Sequence, residues 1–231
     1  TIIFTLSLYS CKSNYTRIGD KNANYIPYYL KVYETDSLNL VGEYKRSNKI
    51  LDSLFKKFEP INLGFYNEYF TYYTNKIRLK DFDKIEVVLK QLVLNHGFNI
   101  GKYQNDSLNA IAIKKAKFTE QDLNGFYETY VKNLNMEYRY AIENMIENDQ
   151  RVRLAIPSNK EEWEKVDKEN AENIKFLITK YGYPSRKKIG PRFFTDKSAG
   201  VTTLFLHATK EAREEYILDL LLESVKKGEC E

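Results

Sequence analysis

Four polar side chains in the last third of the chain have types and spacings that could support acid–base chemistry. His207 stands in an otherwise apolar helical segment, and Asp167 could orient its imidazole so that it acts as a general base. Arg153 could hold an anionic group of a substrate. Asn170 follows Asp167 by three residues, so the two side chains share one face of a helix and could act on one point. Together these residues are the components of a hydrolase-like site.

The same residues could instead form a structural network that binds no ligand. Arg153 could pair with Asp149 or Asp167 inside the domain, and His207 could be a core histidine with its hydrogen bonds satisfied. Polar networks of this kind fix the register of packed helices, provided that every member finds a partner. The sequence leaves the functional and the structural interpretation open.

Several short motifs around these candidates occur in an order that resembles a family of bacterial domains, domain of unknown function 6624. The matching residues are Met145, Asp149, Gln150, Arg153, Asp167, Asn170, Gly182, Tyr183, Pro184, Gly190, His207 and Ala208. Tyr183 stands where the family has Trp, and Leu206 where the family has Gln. The resemblance covers about 90 residues; it implies a mostly helical domain and supplies no activity. The candidate ligand-binding residues are Asp149, Gln150, Arg153, Asn170 and Tyr183.

The elements that must position these side chains are helices. Apolar residues recur at helical spacing from Ser37 onward, and no hairpin dipeptide separates alternating apolar runs, so the sequence predicts an all-α fold of packed antiparallel helices. We expect an N-terminal helical region at residues 37–135 and a C-terminal helical domain at 136–229.

Helix ends are also readable from the sequence. Thr119 begins a capping-box pattern, as does Ser158, while Asp81 could cap the helix that Gly97 ends. The helix that begins near Ser158 should end at Gly182.

Composition excludes several classes of protein. The 231 residues include two Cys and two His, too few for a disulfide framework or a four-sulfur metal site, and HExxH is absent. A net charge of +4, from 36 basic and 32 acidic residues, does not indicate a nucleic-acid partner. No glycine-rich phosphate loop and no G-x-S-x-G elbow occurs. We therefore expect neither a metal nor a cofactor.

The first eleven residues resemble the end of a bacterial lipoprotein signal. An uncharged apolar run ends at Cys11, preceded by the small residue Ser10, and is too short to span a bilayer. The basic start of such a signal would lie upstream of Thr1. Residues 1–11 would then be a partial signal peptide, Cys11 the lipid attachment site, and residues 12–36 a polar tether. The alternative is a buried N-terminal strand.

These features together predict a lipid-anchored protein of the bacterial cell envelope, on the periplasmic or outer-membrane face. The protein would bind the membrane through the lipid, and a polar pocket in the C-terminal domain would bind a small molecule or a peptide. A hydrolase-like enzyme is the main alternative, with His207 as base, Asp167 as its orienter and Arg153 as an anion clamp. A scaffold without any pocket is the third.

Overall fold

The computed structural model describes residues 15–99 and 107–230, and its architecture is all-α, as the sequence predicts. Within these two ranges no strand occurs, and one isolated bridge pairs Thr16 with Phe58. The helices are α1 (Ile26–Leu40), α2 (Tyr44–Phe55), α3 (Glu68–Arg78), α4 (Ile85–His96), α5 (Ser107–Ala116), α6 (Glu120–Lys132), α7 (Met136–Arg153), α8 (Lys160–Tyr181), α9 (Arg186–Ile189), α10 (Val201–His207), α11 (Lys210–Ala212) and α12 (Leu218–Lys227). A π-helical turn, Arg213–Ile217, joins α11 to α12.

The buried side chains form two clusters. The first extends from Tyr25 to Leu123 and the second from Tyr138 to Cys230. In the first, α1 packs on α2 and α4 on α6; in the second, α7 packs on α8, and α10 lies against both. The candidate site residues of the C-terminal domain lie on these three helices, except Tyr183, which follows the end of α8.

The predicted tether at 12–36 is wrong for the part that the structure describes. Tyr25, Tyr28 and Val32 are completely buried, and α1 begins within the supposed tether at Ile26. Their spacing of three and four residues places them on one face of α1. The hydroxyl of each tyrosine also forms a hydrogen bond; that of Tyr28 donates to Glu68 Oε1 at 2.5 Å. These tyrosines, which look polar in the sequence, therefore belong to the hydrophobic core. Residues 12–14 of the predicted tether, and Cys11 before it, lie outside the described residues.

Residues near the beginning of the described part of the chain are bound to residues near its end. The Tyr25 amide donates to the carbonyl of Lys226 at 2.8 Å, and the Tyr29 hydroxyl donates to that of Cys230 at 2.7 Å. Gly228 ends α12 with a φ of 72°, and a Cβ atom there would lie 2.8 Å from the Tyr25 ring. Glycine is therefore required at this position both by its backbone conformation and by the close approach of the ring.

Most helix ends follow the predicted chemistry, with two corrections. Thr119 and Asp122 form the predicted capping box, and Gly97 ends α4 in the left-handed conformation. The prediction of Ser158 as the cap of α8 is wrong by one residue, since Asn159 accepts from the amides of Glu161 and Glu162. Asp81 does not cap α4 either: the N-cap position is Lys84, and the Asp81 carboxylate pairs with Lys76 at 2.6 Å.

A completely buried arginine ties α7 to the segment that leads into α10. Arg139 donates through Nε to Glu143 Oε1 at 2.7 Å, one turn further along α7. Its two Nη atoms donate to the carbonyls of Ile189, Pro191 and Arg192 at 2.7, 2.8 and 3.2 Å. Because these carbonyls belong to the last residue of α9 and to the connection that follows it, the guanidinium sets the path by which the chain approaches His207.

Replacing Arg139 by Met should lower the free energy of unfolding by about 3–5 kcal/mol, since Glu143 would remain buried without its charged partner. Urea denaturation measures the change. The matched control is Lys197→Met, which removes the exposed ion pair to Glu147 on the same segment and should leave the free energy almost unchanged. Equal losses in the two variants would contradict this role for Arg139.

Candidate functional site

The candidate site lies where α7, α8 and α10 meet. The last turns of α7 carry Asp149 and Arg153, α8 contributes Asp167, and His207 is the last residue of α10. Each helix is held by apolar side chains on its inner face; Ile146, Ile174 and Leu204 are buried there. The three helices therefore bring four of the predicted residues into one polar cluster, defined as Asp149, Arg153, Asp167 and His207.

Asp149 is the centre of the cluster. Its carboxylate is completely buried and lies within hydrogen-bond distance of three side chains. Arg153 Nε donates to it at 3.1 Å and Gln150 Nε2 at 2.7 Å, and His207 Nδ1, which donates when it carries the proton, lies 2.9 Å away. A buried carboxylate is stabilised only when such donors replace its water shell, so Asp149 depends on all three.

Arg153 connects the two carboxylates of the cluster. Its Nη2 pairs with Asp167 Oδ1, while its Nε donates to Asp149. The guanidinium also lies over the ring of Trp163, 5.5 Å from the ring centre. Partial burial lowers the pKa of Arg153, but the hydrogen bonds to Asp167 and Asp149 outweigh this effect and raise its pKa above the usual value. The guanidinium of Arg153 therefore stays positively charged, and the carboxylates of Asp149 and Asp167 already neutralise this charge.

His207 is the most accessible member of the cluster, with 31% of its side chain exposed. Its Nδ1 atom lies 2.9 Å from both Asp149 oxygens and 3.0 Å from Arg153 Nε. Because the carboxylate can accept from both nitrogens, the arrangement favours a proton on Nδ1 and leaves Nε2 as the acceptor. Among the residues of 15–99 and 107–230, none forms a hydrogen bond with Nε2.

The pairing inside the cluster differs from the predicted one. Asp149, and not Asp167, hydrogen-bonds to the His207 imidazole, and Asp167 binds Arg153 instead. The alternative network suggested by the sequence, in which Arg153 pairs with Asp149 or Asp167, is present with both partners. Arg153 is therefore not available as a simple anion clamp.

Two predicted ligand-binding residues have partners elsewhere. The Asn170 side chain is buried and its Nδ2 lies 3.5 Å from the Met145 carbonyl, where it links α8 to α7. Tyr183 is buried too, and its hydroxyl donates to Cys230 Sγ at 3.1 Å. Both positions contribute to helix packing in the second core.

Trp163 is a residue of the site that the sequence reasoning missed. It precedes Asp167 by one helical turn, so both side chains lie on the face of α8 that meets Arg153. Its indole Nε1 donates to the Val152 carbonyl at 2.8 Å, which fixes the ring beneath the guanidinium. The four-residue spacing from Asp167 was the available signal. Leu206, at the position of the family's Gln, is mostly exposed beside His207.

Comparison with known proteins adds no assignment: no family model, no curated protein and no solved structure matches this chain. Across the described ranges, no three His, Cys, Asp or Glu side chains lie close enough to hold a metal ion. The helices there also include none that is both long and apolar enough to cross a bilayer. The resemblance of the C-terminal third to domain of unknown function 6624 stays a prediction.

Asp149→Asn should lower the free energy of unfolding by about 2 kcal/mol, because the amide nitrogen would face donors that now meet carboxylate oxygens. Asp167→Asn is the matched control: the Asp167 carboxylate is partly exposed and, within the described ranges, bonds to Arg153 alone, so the loss of stability should be clearly smaller. Urea denaturation of both variants measures the difference. A loss for Asp167→Asn as large as that for Asp149→Asn would contradict Asp149 as the centre of the cluster.

Proposed function

We propose that this chain is a lipid-anchored binding module of the bacterial cell envelope, and that the polar cluster of its C-terminal domain contacts the ligand. The observation that carries the binding role is the convergence of four side chains from three helices on one partly accessible point. The lipid anchor is proposed because the apolar run at residues 1–11, which ends at Cys11, resembles a lipoprotein signal. The resemblance to domain of unknown function 6624 is consistent with a helical module of this kind.

The charges of the cluster favour a ligand that donates hydrogen bonds. Asp149 and Asp167 contribute two carboxylates against one guanidinium, which leaves an excess of one negative charge when the imidazole is neutral. The groups that can still accept are His207 Nε2 and the partly exposed Asp167 carboxylate. An amino group, as in a small amine or at a lysine or N-terminus of a peptide, would satisfy both.

A hydrolase-like enzyme is the second candidate, and one observation favours it. Asp149 holds Nδ1 of His207, so Nε2 is the atom that would accept a proton from a nucleophile. No Ser, Thr or Cys within the described ranges hydrogen-bonds to this imidazole, so the nucleophile would be water. This enzyme would lose turnover in His207→Gln, whereas a binding module would have none to lose.

Membrane anchoring has a direct test. Cys11→Ser should move the protein from the membrane fraction to the soluble fraction in cells that make it from its own gene, because the thioether to the lipid could not form. Cys230→Ser is the control: this buried residue lies in the second core and its replacement should not change fractionation. Retention of the Cys11→Ser protein in the membrane fraction would refute the lipoprotein proposal.

Ligand binding at the polar cluster can be probed with benzylamine, and benzyl alcohol serves as the neutral analogue. Benzylamine should shift the NMR signals of the His207 imidazole in a saturable way, and Asp167→Asn should weaken this binding by about tenfold through loss of a charged hydrogen bond. Asp196→Asn, a carboxylate outside the cluster, should bind normally. Equal binding of benzyl alcohol, or unchanged binding by Asp167→Asn, would exclude an amine site here.

A further inference from the structure

A second candidate site lies in the N-terminal half of the chain, away from the polar cluster. A cavity of about 640 Å³ is bounded by α2, by the middle and end of α3 and by the segment that leads into α4. This volume is within the range of sites for small organic ligands. Because α2 and α3 pack directly on each other in the first core, the walls of the cavity are held together by that core.

The lining of this cavity carries more positive than negative charge. Among the described residues that line it are five lysines and three aspartates. Two of the lysines are already paired, Lys56 with Asp52 and Lys76 with Asp81, both at 2.6 Å. Three lysines and one aspartate stay outside these pairs, which leaves an excess of two positive charges. Such an excess in a concave surface attracts anions.

The lysines outside the two pairs are Lys45, Lys49 and Lys84. Lys45 and Lys49 are four residues apart and share one face of α2, while Lys84 comes from the start of α4. No carboxylate of the described ranges forms an ion pair with any of the three. Like charges four residues apart destabilise a helix. An anion bound between Lys45 and Lys49 would remove this repulsion.

The buried part of the lining is held in place by its own contacts. The Lys76 side chain is almost fully buried, and its Nζ pairs with Asp81 and lies 5.7 Å from the centre of the Tyr72 ring. The Tyr72 hydroxyl donates to Asp52 Oδ1 at 3.1 Å, and the other oxygen of Asp52 accepts from Lys56. Because these side chains are already fixed, ligand binding would order few of them and would lose little conformational entropy.

Asn48 brings a polar group without a partner to the same cavity. It lies on α2 between Lys45 and Lys49, lines the cavity and is only 8% exposed. Its Oδ1 is buried, and no residue of the described ranges donates a hydrogen bond to it. Buried acceptors normally have a donor, and one without a donor lowers stability. A hydroxyl group of a ligand in the cavity would supply the missing donor.

We propose that this cavity binds a small organic anion that also carries hydroxyl groups, such as a sugar phosphate or a sugar acid. The anionic group lies between Lys45, Lys49 and Lys84, and one hydroxyl group donates to Asn48. Two separate observations favour the two parts of this ligand: the charge excess favours the anion, and the amide oxygen without a partner favours the donor. The site is separate from the polar cluster, and its ligand has the opposite charge.

Glucose 6-phosphate and glucuronate are the probes, because they carry the two kinds of anionic group on hydroxylated rings, and glucose is the neutral analogue. Isothermal titration calorimetry should show saturable binding of at least one of the two anions. The comparison between them decides between phosphate and carboxylate. The affinity should fall as the salt concentration rises, because Lys45, Lys49 and Lys84 are exposed.

Replacing Lys45 and Lys49 together by Gln should raise the Kd of the bound probe by roughly tenfold or more, through the loss of two charged hydrogen bonds. The matched control replaces Lys132 and Lys168 by Gln. These two lysines are also exposed and lie outside the described lining of the cavity, so the control changes the net charge equally and should leave the Kd unchanged.

Asn48→Leu tests the role of the ligand's hydroxyl group. Leucine is similar in size and has no polar atom, so the free energy of unfolding in urea should not fall, since the Asn48 oxygen has no partner to lose. The Kd of the bound probe should rise by about fivefold through the loss of one hydrogen bond. A clear loss of stability together with an unchanged Kd would show that the amide has a structural role and would contradict the proposal.

Three further results would overturn the proposal. The first is absence of saturable binding for both anions, and the second is glucose binding as tightly as they do. The third is an unchanged Kd in the variant that lacks Lys45 and Lys49. Because benzylamine binding at the polar cluster is measured separately, failure of one site leaves the other standing.

Discussion

A guanidinium without contact to solvent determines how the second half of this molecule is assembled. Arg139 donates to Glu143 and to three backbone carbonyls at the end of α9 and in the connection after it, so one side chain joins two parts of the chain about fifty residues apart. Burying a charge is costly unless it is paired and fully hydrogen-bonded, and arginine cannot escape that cost by losing its proton. The connection is therefore confined to the path along which these carbonyls reach the guanidinium, and that path delivers α10 to the face of α7.

The polar cluster uses the same kind of interaction, a charged pair on α7 that also binds a neighbouring segment, but nearer the surface. Both charged pairs on α7, Arg139 with Glu143 and Asp149 with Arg153, are four residues apart, and each extends to a neighbouring segment. The first pair is sealed, so its role is structural. The second includes side chains that solvent reaches, and one nitrogen of His207 has no partner among the residues that the structure describes. The structure thus combines the two interpretations that the sequence left open: the same residues form a packed network and present an accessible edge.

How much of this could be predicted depends on the range of the interaction concerned. Helical periodicity identified most helices, and local rules found the Thr119 capping box and the turn at Gly97. The prediction of a tether is wrong because Tyr25 and Tyr28 carry polar hydroxyls, and the partners of these hydroxyls, such as Glu68, lie far along the chain. Likewise sequence separation does not decide whether Asp149 or Asp167 binds the His207 imidazole, because the choice depends on how α7, α8 and α10 pack.

The balance of charges in the polar cluster determines how it could select a ligand. In the cluster one guanidinium faces two carboxylates, so its net field is weak and discrimination must come from short-range hydrogen bonds at His207 and Asp167.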